Sequence, residues 1–157
     1  MHAFHLWLRL AILGLLASSA SASDYALEDV KATLQMSDSE VGQLGTQGIR
    51  TTLQLWGACA TSRGLRKLAK STAIERNKLT LWVNACDLMR ISGIGPDVAR
   101  VLMAVGVKNT RKLSRQKAPR LSAKIEKLNA AQHLTENTPS EQHLAAWIGM
   151  AKSLPRK

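Results

Sequence analysis

The stretch Leu88-Met-Arg90-Ile91-Ser-Gly93-Ile94-Gly95-Pro96-Asp97-Val-Ala99-Arg100-Val-Leu102-Met103 decides how the rest of the chain is read. Apolar residues at 88 and 91, and again at 99, 102 and 103, mark two helical faces with a break between them. Gly93 and Gly95 let the backbone of that break take a positive φ or approach another surface closely. Pro96 suits a first helical position, where its missing N–H costs nothing. Ala99 is small enough for the second helix to pack tightly on the first. The stretch therefore reads as a helix ending, a two-glycine hairpin and a second helix beginning.

This pattern resembles the helix–hairpin–helix motif, in which hairpin N–H groups at a helix N-terminus hold a nucleic-acid phosphate. The resemblance makes Gly93, Ile94 and Gly95 candidate nucleic-acid-binding residues. Arg90, Arg100, Lys108, Arg111 and Lys112 flank them and are placed to neutralise adjacent phosphates. Asp97 counts against this reading. A carboxylate in the first helical turn stabilises the helix by roughly 0.3–1 kcal/mol, yet it repels an incoming phosphate. The alternative is a tight interhelical turn whose free N–H groups are satisfied by Asp97. Arg100, one turn further on, is placed to pair with that carboxylate.

At 157 residues and net charge +11, the chain has room for one domain or two very small ones. Residues 1–22 fall outside either. Leu10–Ala17 is a short apolar run and Ala20-Ser21-Ala22 a small-x-small cleavage site, so 1–22 reads as a signal peptide of an exported, periplasmic or secreted protein. The region before the run is weakly basic, with Arg9 its one fixed side-chain charge, and an uncleaved N-terminal membrane anchor is the alternative. Residues 23–33 form an acidic lead-in, residues 34–154 the domain, and residues 155–157 a basic tail. Between 98 and 127, Arg100, Lys108, Arg111, Lys112, Arg115, Lys117, Arg120, Lys124 and Lys127 stand against Glu126 alone. That imbalance points to a polyanionic partner or to a solvated basic face.

Cys59 and Cys86 are the two cysteines. In an oxidising compartment a bridge between them is permitted, with a stabilisation on the order of 3 kcal/mol; otherwise both serve as small buried apolar residues. No CxxC occurs, and His133 and His143 stand ten apart without a carboxylate pattern, so neither a metal site nor a cofactor is indicated.

The periodicity is helical almost throughout. Ser37-Asp-Ser-Glu40 and Thr138-Pro-Ser-Glu141 read as capping boxes, with Ser37 and Thr138 as N-caps, the second opening a helix over about 139–153. A helix carrying Leu79, Trp82, Val83, Cys86 and Met89 leads into the hairpin. Shorter helices are expected over 39–45, 51–57, 62–70, 97–105, 109–115 and 119–131. Val41-x-x-Leu44-x-x-x-Gly48-Ile49-Arg50-x-Thr52-x-x-Leu55 matches Ala99-x-x-Leu102-x-x-x-Gly106-Val107-Lys108-x-Thr110-x-x-Leu113 at a spacing of 58. Two copies of a small helical unit sharing one core follow from this match. Gln35 and Ser37 replace Gly93 and Gly95 in the first copy, so the glycine hairpin is expected only in the second.

From residue 34 to 154 the chain resembles the bacterial family called domain of unknown function 4332. The resemblance is carried by Gly57-Ala58, Arg63-Gly64-Leu-Arg-Lys-Leu68-Ala69, Trp82-Val83-Asn84-Ala-Cys-Asp87-Leu88-Met89-Arg90-Ile91, Gly93-Ile94-Gly95 and Trp147-Ile148-x-x-Ala151-Lys152. It implies an all-α, compact bundle of short helices built from two helix–hairpin–helix-like (SAM-like) units. It implies no demonstrated activity.

Asn84 and Asp87, polar residues inside an otherwise apolar helix, are expected to bond backbone of the neighbouring unit and hold the two in register. A catalytic Asp87 would lack a paired acid, a histidine or a metal-ligand neighbour, and no enzyme activity is expected. Trp56, Trp82 and Trp147 sit at helical apolar positions and read as core rather than as base-stacking platforms. The expected function is thus sequence-independent binding of a DNA or RNA phosphate backbone. The alternative is a protein-interaction or structural module of the cell envelope, with a protein partner. No small-molecule substrate is indicated.

Overall fold

The computed structural model describes residues 23–154, so the signal peptide or anchor read at 1–22 and the basic tail at 155–157 lie outside the described residues. Within them the chain runs α1 (Leu27–Leu34), α2 (Asp38–Thr46), α3 (Thr52–Ala58), α4 (Ser62–Thr72), α5 (Arg76–Met89), α6 (Pro96–Ala104), α7 (Thr110–Leu113), α8 (Ala118–Gln132) and α9 (Glu141–Ser153). The fold is all-α, and among the described residues the sole β feature is an isolated bridge between Ala26 and Thr51.

Side-chain caps fix several of these helix starts. Ser37 opens α2 with a reciprocal pair: Glu40 N donates to Ser37 Oγ at 3.2 Å, and Ser37 N donates to Glu40 Oε2 at 2.8 Å. Thr51 and Gln54 do the same for α3. The second expected box fails. α9 starts at Glu141 with Ser140 as its N-cap, accepting from His143 N at 3.3 Å, so neither Thr138 nor Pro139 opens it. Asn129 at the end of α8 explains the late start: its Oδ1 accepts from Thr135 N and its Nδ2 donates to Thr135 O, which ties the connecting loop back to α8.

Leu27, Leu44, Leu55, Leu79, Leu88, Met89, Ile91, Ile94, Leu102, Leu113, Leu121 and Ile125 are fully buried in one continuous core. Removing each such side chain from water contributes roughly 1.5–3 kcal/mol. The acidic lead-in belongs to this core, for Leu27 and Val30 of α1 are buried and α1 packs on α6. Its apolar face was masked in sequence by the acids between those residues.

The two stretches that match at a spacing of 58 adopt parallel backbone geometry. Gln35 takes φ 55° where Gly93 takes φ 88°. Ser37 and Gly95, both extended, are the N-caps of α2 and α6. Gly48 (φ 74°) and Gly106 (φ 88°) end those helices, followed by Ile49 N donating to Leu44 O at 3.0 Å and Val107 N to Leu102 O at 2.9 Å. The left-handed turn is therefore present in the first stretch without its glycine, at roughly 1–2 kcal/mol for a non-glycine residue. The stretches pack crosswise, α1 on α6 and α3 on α5.

Candidate functional site

Gly93, Ile94 and Gly95 link α5 to α6. Ile94 is buried and its N–H donates to Ile91 O at 3.0 Å, so this central N–H is already engaged. Ser92 and Gly93 are exposed, yet a Cβ on Gly93 would lie 3.0 Å from the Trp147 indole nitrogen. The indole thus backs one side of the turn, with the His143 ring stacked on it at 5.8 Å. Gly95 is the N-cap of α6 and provides no side-chain cap, so the N–H groups of Asp97 and Val98 have no side-chain acceptor there. Asp97 does not satisfy them. Its side chain is 71% exposed and reaches only Arg100 Nη2, at 3.9 Å.

The flanking cations separate into three groups. Arg90 is held in place: it pairs with Asp87 at 2.9 Å, with both side chains largely buried, and its guanidinium lies 3.7 Å from the Trp56 ring centroid. Arg100 donates to Leu134 O at 2.6 Å and lies beside a shallow depression formed with Asp97 and residues 133–137. Lys108, Arg111 and Lys112 are exposed on and before α7 and form no ion pair among the described residues. Of the five cations, Arg90 and Arg111 border one cleft between α5 and α7, while Arg100 lies at a separate depression beside α6.

The basic face lies further along the chain. Arg115, Lys117, Arg120, Lys124 and Lys127 are all exposed, and none forms an ion pair among the described residues. Arg120, Lys124 and Lys127 fall at helical spacing on one stripe of α8, turned away from buried Leu121 and Ile125. The one carboxylate on that helix, Glu126, accepts from Ser122 Oγ at 3.1 Å. This stripe was legible as a run of bases in the sequence.

Asp87 has both oxygens occupied. Oδ1 accepts from Arg90, while Oδ2 accepts from Thr110 N at 2.8 Å and Thr110 Oγ1 at 2.7 Å. Asp87 thus bonds backbone as expected of it, but at the start of α7, within the second matched stretch rather than between the two stretches. In the first stretch Asp24 has a similar role, accepting from Thr52 Oγ1 at 3.1 Å and Leu53 N at 3.0 Å. Asn84 makes no such bond among the described residues. Instead it faces a cleft of about 480 Å³ bordered by α3, α5, α7 and the end of α9.

Cys59 and Cys86 are free thiols, both buried, as in the reading that makes them small buried apolar residues, and no bridge joins them. Burial pushes the Cys59 thiol up to about 11 and the Cys86 thiol up to about 12. Each behaves as a small apolar side chain. No group of three His, Cys, Asp or Glu side chains among the described residues is arranged to hold a metal ion. No described helix is long and apolar enough to cross a membrane.

These features define a small all-helical domain with matched helical stretches, a polar cleft and a basic stripe on α8. The chain belongs to the family described as Domain of unknown function (DUF4332), which matches residues 34–154. Comparison with curated proteins and with solved structures gives no match.

Proposed function

We propose that this protein is a non-catalytic module, exported after removal of residues 1–22, that binds the phosphate backbone of nucleic acid without reading its sequence. One observation carries the reading. From Lys108 to Lys127 the basic side chains are exposed and none is neutralised by an ion pair among the described residues. Unpaired, like-charged side chains held on rigid helices repel one another, and a polyanion relieves that repulsion while releasing its condensed counterions. The α5–α6 turn, read as a helix–hairpin–helix, adds a secondary contact through the uncapped N-terminus of α6. Asp97 and the engagement of Arg90 and Arg100 keep it from being the main grip. Exposed Lys and Arg side chains are suited to phosphate contacts, which position a protein on nucleic acid without carrying sequence information.

Fluorescence anisotropy with duplexes of unrelated sequence tests this. Contact with four to six phosphates predicts a loss on the order of 10²–10³-fold in affinity between about 50 and 200 mM salt. The triple variant Arg120→Glu/Lys124→Glu/Lys127→Glu should abolish binding, whereas Gly93→Ala/Gly95→Ala should weaken it only a few-fold. Absence of binding at low salt, or an affinity indifferent to salt, overturns the reading.

A further inference from the structure

The cleft beside the basic face has a chemistry of its own. Its lining includes Arg111, whose guanidinium has no ion-pair partner among the described residues, and Asn84, whose side chain makes no hydrogen bond among them. Asn109 adds a third donor. Its Oδ1 is occupied by Lys112 N at 2.9 Å, which leaves the NH₂ as its remaining hydrogen-bonding group. The one carboxylate at the cleft, Asp87, is already bonded through both oxygens and matched in charge by Arg90. The cleft therefore presents one uncompensated positive charge and two amide side chains. The lining also has an apolar part, formed by Val83, Leu154 and the Trp56 ring, on which the Arg90 guanidinium is stacked. A volume of about 480 Å³ lies in the range of small-molecule sites, which pair an apolar lining with a few placed polar groups.

We propose that this cleft binds a small organic anion, its carboxylate or phosphate held by Arg111, Asn84 and Asn109 and its body laid against Trp56, Val83 and Leu154. A guanidinium with two amides gives a charge-assisted, directional set of donors suited to a planar or tetrahedral oxyanion. The apolar part of the lining favours a ligand with a flat or apolar body over a bare ion. The site does not depend on the nucleic-acid reading, since only Arg111 is common to both surfaces.

The test is an NMR titration of the full chain with adenosine monophosphate, benzoate and inorganic phosphate at about 150 mM salt, where diffuse surface electrostatics are screened. The side-chain amide signals of Asn84 and Asn109 and the Trp56 indole signal report occupancy. At least one of the two organic anions is expected to saturate these signals, and whichever does so identifies the head group. Inorganic phosphate should bind about tenfold more weakly or not at all. Asn84→Asp, which places a second carboxylate in the cleft, and Arg111→Gln, an exposed substitution that leaves the core untouched, should each weaken binding at least about tenfold. Duplex DNA affinity should survive Asn84→Asp within about threefold, which separates failure of this site from failure of the basic face. Absence of a saturable shift below about 10 mM of either organic anion, or equal binding by wild type and both variants, overturns the proposal.

Discussion

Replacing Asp87 by alanine should destabilise the fold far more than it disturbs binding. The substitution removes the acceptor of three hydrogen bonds at once: one from Arg90 and two from Thr110. The Asp87 and Arg90 side chains are only 14% and 12% exposed, so the change strands a guanidinium with little water around it. Breaking a buried pair from one side costs about 3–5 kcal/mol, and the Trp56 ring that remains under Arg90 keeps the loss at the lower end. Thr110 is buried as well, and its unpaired N–H adds about 1 kcal/mol. The total is about 4 kcal/mol, which corresponds to a fall in Tm of roughly 12–16 °C for a domain of this size. Asp87→Asn keeps an acceptor for Thr110 but strands the same guanidinium, so it should lose about 3 kcal/mol, roughly 1 kcal/mol less than the alanine variant. Urea and thermal unfolding followed by circular dichroism measure both variants. A loss below about 1 kcal/mol for Asp87→Ala would refute the structural role. So would a folded variant whose duplex affinity drops tenfold or more, because Asp87 would then act at a ligand.

The two hairpin glycines should respond differently. Gly93→Ala forces a side chain into φ 88° and against the Trp147 indole, for a loss of about 1–3 kcal/mol, whereas Gly95→Ala meets nothing closer than the Tyr25 hydroxyl at 3.8 Å and should lose under about 1 kcal/mol in the same unfolding assay. Stability should fall in acid partly through Glu40. Burial opposes the shift, but hydrogen bonds from Lys78 and from Ser37 hold its carboxyl below the ordinary value. A depressed carboxyl contributes stability at neutral pH that is lost as pH drops through its folded value, so the fall in Tm below about pH 4.5 should be shallower in Glu40→Gln. With its thiol pushed up to about 12 by burial, Cys86 should label with a disulfide reagent at pH 8 only as fast as the fold opens, and rapidly in urea, whereas Cys59, which borders the cleft, should label slowly but ahead of it. Rapid labelling of native protein would contradict the burial described.

Much of the helical layout was legible because it is written in local signals. Ser37 with Glu40 announces α2, Pro96 the first residue of α6, and Gly48 and Gly106 the ends of α2 and α6. Three things were not legible. α1 has only two buried apolar positions, Leu27 and Val30, among acids, and its helicity depends on α6 rather than on its own pattern. Gln35 shows that a turn demanded by packing forms without glycine, which no sequence rule would forecast. The division of the cations depends on distant partners: Leu134 O for Arg100, and Trp56 for Arg90. Charge counts along the chain see neither. The cleft was invisible for the same reason, since its walls come from residues as far apart as Trp56 and Leu154.

The crosswise packing of α1 on α6 and α3 on α5 bears on how the domain opens. Each matched stretch closes its apolar surface with a helix from the other, so neither has a core to retain once its counterpart leaves. Such an arrangement has no inexpensive sub-global route to exposing Leu44 or Leu102. Amides in α2 and α6 should accordingly exchange with solvent at one shared, global free energy rather than in two steps. The cleft and the basic face then sit on a scaffold that loses both together.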